Sequence, residues 1–147
     1  MAGNRLRYLT ADDWILIRAR AEQRTFKVGE EIIRPGDWGA SIFIIRRGEA
    51  SVELAGTGSR GIVAALGPED ICGDMAFLEQ GKATAAVVAK DPEVEVDEIK
   101  AQELQEILEA FPRMASRFYR SLALVLMRRL KATSDELARE MMLRDRR

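Results

Sequence analysis

Apolar and polar positions alternate with three different rhythms along this chain, and the changes of rhythm divide it. Thr10-Ala11-Asp12-Asp13 reads as a capping box, with Thr10 as N-cap and Asp13 reaching back from the third helical position. Leu9 and Trp14 stand at hydrophobic-staple positions, and Ile15 and Ile17 continue an apolar face as far as Ala21, so a helix opens the fold within residues 1–24. From Thr25 to Ile99 the runs become short: Phe26 and Val28 alternate with polar residues, and Ile32-Ile33 runs into the turn Pro35-Gly36-Asp37. Ile42-Phe43-Ile44-Ile45 is continuous between Gly39 and Gly48, as in a strand buried on both faces. Ser51-Val52-Glu53-Leu54 alternates, a Gly-rich hairpin loop covers 56–61, and Ile62 to Leu66, Ala85 to Ala89 and Val94-Glu95-Val96 complete the strands. Turn signals every 8–12 residues predict an antiparallel barrel or sandwich over 25–100.

After Ile99 the rhythm is helical. Leu104, Ile107, Leu108 and Phe111 follow i, i+3, i+4, i+7 spacing, and Pro112 ends that helix or begins the next. From Arg113 to about Leu143 there is neither Gly nor Pro, which predicts a rod of roughly 45 Å, longer than a small barrel covers. Its second half keeps Leu122, Leu126, Leu130, Leu137 and Met141 apolar among charges. The end of this helix therefore reads as packing on another chain, a homodimer through 113–143, with fraying past Lys131 as the alternative. The fold class is mainly β with flanking α, a single domain over 1–147 with its C-terminal helices over 101–147.

Composition narrows what such a domain does. The 147 residues are 47% apolar, enough for one real core. There is no His, which removes Ser-His-Asp and Cys-His nucleophile systems, His metal sites and a His-based pH switch. The lone Cys72 excludes an internal disulfide or a cysteine zinc cluster and reads as a buried small residue. No carboxylate pair is marked as an acid/base couple, so an enzyme is not expected. No apolar run approaches the ~20 residues of a membrane helix and no signal peptide opens the chain, so a cytoplasmic protein is expected. The net charge of −1 hides a division: residues 1–112 carry 13 basic and 20 acidic side chains, residues 113–147 carry 10 and 4. Arg46-Arg47 and Arg128-Arg129 read as solvated faces, and Trp38, after its turn, as a packing residue.

Three stretches in order carry a resemblance. Phe26-x-x-Gly29-Glu30-x-Ile32-x-x-x-Gly36-Asp37, Ile42-Phe43-Ile44-Ile45-x-x-Gly48-x-Ala50-x-Val52 and Leu66-Gly67-Pro68-Glu69-Asp70-Ile71-Cys72-Gly73-Asp74 together resemble the cyclic nucleotide-binding domain family, over about residues 6 to 138. The resemblance implies a helix, an eight-stranded antiparallel jelly-roll β-barrel with Gly48 at a bend, and two C-terminal helices of which the last often dimerises. It also implies a phosphate-binding cassette of the pattern Gly-Glu-Leu-Ala, a variable loop, then Arg-Thr-Ala or Arg-Ala-Ala. There the Glu meets the ribose 2′-hydroxyl, the Arg pairs with the cyclic phosphate, and backbone N–H groups cradle the same anion.

This chain departs from that pattern. Gly73-Asp74-Met75-Ala76 stands at the first half and Lys82-Ala83-Thr84-Ala85 at the second, so Asp74 replaces the Glu and Ala83 stands at the Arg position. A shift of one puts Thr84 there, and neither alignment yields an Arg. A paired phosphate contact of about 3 kcal/mol corresponds to roughly a hundredfold in affinity. Glu69, Asp70, Asp74 and Glu79 against Lys82 and Lys90 further disfavour a phosphate. Two readings stand. In one, the module binds cyclic AMP, cyclic GMP or a related phosphate ligand and needs no other cofactor. Asp74 then meets the ribose, the backbone of Gly73 to Ala76 and Thr84 meet the phosphate, Lys82 assists, and the signal passes to the helix near Ala101. In the other, Gly73 is a turn glycine, Asp74 a helix cap, and Met75, Phe77 and Leu78 barrel core, and the module works by dimerisation or protein contact. No residues after Leu143 remain for a helix-turn-helix, so direct nucleic-acid binding is not expected, unless the chain is a fragment of a longer regulator or channel.

Overall fold

The computed structural model describes residues 5–54 and 61–146, which leaves most of the Gly-rich loop read at 56–61 outside the described residues. Helix α1 (Ala11–Arg20) is followed by β1 (Glu22–Lys27), β2 (Glu31–Ile33), β3 (Ser41–Arg47), β4 (Ala50–Leu54), β5 (Ile62–Leu66) and β6 (Ile71–Cys72). Helix α2 (Asp74–Glu79), β7 (Ala85–Ala89), β8 (Glu93–Lys100), α3 (Ala101–Ala110) and α4 (Pro112–Asp145) complete the order. The strands form two antiparallel four-stranded sheets, β1-β8-β3-β6 and β2-β7-β4-β5. This is the double-sheet form of the jelly roll rather than a closed barrel: each named strand is hydrogen-bonded only within its own sheet, and successive strands cross from one sheet to the other in most turns.

The continuous apolar run of β3 has a simple cause. Phe43 and Ile45 point between the sheets with Phe26, Val87, Val94 and Val96, while Ile42 and Ile44 point outward into a second cluster under the helices. That second cluster joins Ile17 of α1, Leu104 and Leu108 of α3, and Met114, Phe118 and Leu122 of α4. Gly48, at φ +87, makes the bend between β3 and β4 where a Cβ would lie 2.8 Å from the Glu93 carbonyl oxygen. The first strand begins at Glu22, inside the region read as helical. It is an edge strand in which only Phe26 is buried, so no alternation marked its start.

The capping box of α1 is present: the Asp13 backbone N–H donates to Thr10 Oγ1 at 3.2 Å, and Asp13 Oδ2 accepts from the Thr10 N–H at 2.9 Å. The same buried carboxylate receives two bonds of 2.7 Å from Arg117, which pins α4 to α1. The Arg117 guanidinium holds the Asp13 carboxyl below its ordinary range, against the opposing effect of burial. Ile15, placed on the apolar face by the sequence, is 64% exposed, because Ile17 alone of the pair turns inward.

Pro112 begins α4 at its first helical turn, and Phe111 lies between α3 and α4 in a non-helical conformation, 47% exposed, instead of completing the α3 stripe. Helix α4 runs unbroken for 34 residues, about 51 Å, and continues past Lys131 to Asp145. Leu122 belongs to the core, but Leu130, Leu137 and Met141 are more than half exposed. Among the described residues no helix is long and apolar enough to cross a membrane.

Candidate functional site

Chain direction reverses sharply at Gly73, and the local chemistry explains why a glycine stands there. Its φ is +85, and a Cβ would lie 2.8 Å from the Ser41 carbonyl oxygen. Released by that turn, α2 begins at Asp74 and closes at Gln80, also left-handed at φ 54. Gly73 is the N-cap and offers no side-chain bond, so Asp74 is the first helical residue and not a cap.

The second half of the cassette is held against the loop after β2. The Ala83 N–H donates to the Asp37 carbonyl at 2.7 Å, the Gly36 N–H donates to the Ala83 carbonyl at 2.8 Å, and Gly39 N–H donates to Gly81 at 2.9 Å. Trp38 is accordingly not a packing residue. It is 66% exposed and carries the Lys82 ammonium 5.2 Å from its ring centroid.

These constraints converge on one cavity of about 160 Å³. Gly73, Asp74, Met75, Ala76, Lys82, Ala83 and Thr84 all line it, with Cys72 and Val87 at its inner wall. The structure therefore brings together every cassette residue picked out from sequence. Phe77 is buried, yet it packs beneath the helices with its ring 6.2 Å from that of Phe118, whereas Met75 and Leu78 are exposed and lie outside any core. Burial pushes the Cys72 thiol well above its ordinary pKa, helped by the Asp74 charge, which leaves it an inert apolar wall.

Arg129 of α4 also lines this cavity, so it does not belong to the solvated face expected for Arg128-Arg129. Its Nη1 donates to both Asp74 oxygens, at 3.2 and 3.0 Å, and its Nη2 donates to the Ile71 carbonyl at 3.0 Å. Asp74 is only 2% exposed, so its carboxylate is spent on Arg129 and does not stand free for a hydroxyl. A guanidinium is thus present after all, delivered from a helix 46 residues beyond Ala83 in sequence. A signal for it existed. Phe118, Leu122 and Val125 form the buried stripe of α4, and Arg129 continues that stripe by one further turn. Arg46, also read as solvated, pairs with Asp97 and lies 6.0 Å from the Trp14 ring centroid.

The acidic surroundings are less hostile than their count suggests. Glu69 is paired with Arg5 at 3.1 Å. Asp70 is 1% exposed; burial raises its pKa, against the bond its Oδ2 accepts from the Gly67 N–H and the charges of Arg5 and Arg129. Its Oδ1 has no hydrogen-bond partner among the described residues. Lys90 is engaged by Glu53 at 2.8 Å and takes no part in the cassette.

Comparison with known proteins agrees with this architecture. The family model described as "Cyclic nucleotide-binding domain" matches residues 23–111, from β1 through the cassette to the end of α3. The chain is 31% identical over 137 residues to Cyclic GMP-binding protein C of Dictyostelium discoideum, a match covering 88% of this chain and 5% of that protein. It is 28% identical over 119 residues to the Cyclic AMP receptor protein of Thermus thermophilus, covering 79% and 52% respectively. The chain therefore spans a twentieth of the first relative's length and about half of the second's. A solved cyclic nucleotide-binding domain from Methylobacillus flagellatus superposes with a TM-score of 0.78 at 19% identity, over 90% of this chain and 74% of that one. With more than half of its length matched by the family model, and the eight strands in two antiparallel four-stranded sheets, the chain belongs to the cyclic nucleotide-binding domain family.

Proposed function

We propose that this domain is a regulatory, non-catalytic module of the cytoplasm whose cassette takes a cyclic nucleotide or a related phosphate ligand, with Arg129 supplying the guanidinium that position 83 lacks. The observation that carries the reading is the convergence of seven cassette residues and Arg129 on one cavity. The first N–H groups of α2 have no acceptor within the helix and, with the Thr84 hydroxyl, suit an anion. Lys82, held on Trp38, adds a point charge at the rim.

The cavity, at about 160 Å³, is smaller than the ~300–1,000 Å³ of ordinary small-molecule sites. A ligand must therefore part Asp74 from Arg129, the first turning to the ribose and the second to the phosphate. Because Arg129 belongs to α4, that exchange changes how α4 is held, and the ligand's differential contacts in the two arrangements carry the signal. A second reading rests on a separate observation. Leu130, Leu137 and Met141 expose apolar surface along the part of α4 beyond the core, which suits a homodimer with the cassette kept closed.

Calorimetry of the purified chain with cyclic AMP, cyclic GMP and a cyclic dinucleotide tests the ligand reading. Binding is expected, and Ala83→Arg should raise the affinity at least tenfold. Amide exchange over residues 101–130 should change with ligand. No heat at millimolar ligand from either form, with exchange unchanged, refutes it in favour of the dimerisation reading.

A further inference from the structure

A second cleft is lined by Arg128 of α4, the residue next to the cassette's Arg129, and its chemistry is different. It has a volume of about 580 Å³, within the range of small-molecule sites, and lies between the N-terminal segment, α1, β3 and α4. Leu6 and Ile44 form an apolar floor and Trp14 a wall. Arg5, Arg7, Arg18, Arg46 and Arg128 surround it, with Glu69 as the one carboxylate in its lining.

Two of these cations are neutralised, Arg5 by Glu69 at 3.1 Å and Arg46 by Asp97. Arg7, Arg18 and Arg128 have no carboxylate within ion-pair distance among the described residues. They come from the N-terminal segment, α1 and α4, so their meeting is a product of the fold and not the polar face of one helix. Three uncompensated guanidinium groups around a partly apolar cleft raise its potential and call for a multivalent anion. Guanidinium forks match phosphate oxygens better than they match single charges. The Trp14 ring beside the floor offers an aromatic face to a planar group, and Arg46 already lies 6.0 Å from its centroid.

We infer that this cleft is a second ligand site, separate from the cassette, for a small polyphosphate anion carrying an aromatic ring, of the nucleoside polyphosphate class. Arg7, Arg18 and Arg128 hold the phosphates and Trp14 stacks on the base. Arg128 and Arg129 are neighbours on α4, so an occupant of the cleft and an occupant of the cassette pull on adjacent residues of one helix.

The test is calorimetry of the full chain at 0.15 M salt with ATP, inorganic tripolyphosphate and adenosine as probes. ATP is expected to bind more tightly than tripolyphosphate, and adenosine not measurably. Arg18→Gln and Arg128→Gln should each weaken ATP at least tenfold, the scale of one lost charge-assisted contact. Trp14→Leu should remove the preference for ATP over tripolyphosphate. Arg7 is exposed, so Arg7→Glu supplies a further variant whose fold is not at risk, and it should weaken ATP as well. Absence of ATP binding at 1 mM, or binding unaltered in the arginine variants, overturns the proposal. So does capture of a duplex oligonucleotide that ATP does not displace, which would mark the cleft as a phosphate-backbone surface.

Discussion

Removing Arg129 should cost more than removing the aspartate it holds. Asp74 is 2% exposed and the Arg129 side chain 27% exposed, so the pair lies between the buried and surface limits. Breaking a buried pair by deleting one partner costs about 3–5 kcal/mol, and an exposed pair is worth about 0.2–1 kcal/mol. For Arg129→Ala the expectation is about 2–3 kcal/mol, since a buried carboxylate and the Ile71 carbonyl both lose their donor. For Asp74→Ala it is about 1–2 kcal/mol, because the guanidinium keeps Ile71 and reaches water. Urea denaturation measures both, and with m of roughly 1–3 kcal/mol/M the Arg129 variant should lower the midpoint by about 1–2 M. The double variant should lose about 1–2 kcal/mol less than the two singles together. Additivity within about 0.5 kcal/mol, or a larger loss from Asp74→Ala, would refute the claim that this pair fastens α4 to the cassette.

Two further outcomes follow from the geometry. Gly73→Ala combines a left-handed backbone, costing about 1–2 kcal/mol, with a Cβ placed 2.8 Å from the Ser41 oxygen, costing about 1–3 kcal/mol. Its thermal midpoint should fall by on the order of 10 °C, while Gly67→Ala, where a Cβ meets nothing within 4 Å, should leave it nearly unchanged. The Asp13 carboxyl titrates below its unfolded value of about 4, so its stabilising bond with Arg117 is fully present above that pH and lost as pH falls through the lower folded value. Asp13→Asn should therefore be less stable than the wild type at pH 7 and approach it progressively as the pH falls below about 4, as followed by chemical denaturation from neutral to acid pH.

Much of the fold was legible because burial writes itself into periodicity. The capping box at Thr10, the doubly buried β3 and the helical stripe of α3 were marked by local patterns that the structure keeps. The start of β1 was not, since an edge strand with one buried residue leaves no such trace. Phe111 and Ile15 show the reverse failure: both fit an apolar stripe, and both are exposed because a helix ended or a neighbour took the inward place.

The cassette divides in the same way. Its residues lie within one stretch from 73 to 84, so motif spacing alone brought Gly73 to Thr84 to notice, including the missing arginine at position 83. The guanidinium that lines the cavity comes from Arg129, and no local pattern ties residue 129 to residue 74. Only the packing of α4 across the outer face of the β1-β8-β3-β6 sheet decides that meeting. The arginines at 7, 18 and 128 illustrate the same principle. Composition showed an acidic first part and a basic last helix, but charge along a chain is a sum, and a site is a matter of distance. What the sequence determined by itself was the position of most strands and helices, the turn chemistry and the resemblance to the family. Which charges face each other across the fold was left to tertiary structure, because contacts such as Arg129 with Asp74 and Arg117 with Asp13 join residues far apart in sequence.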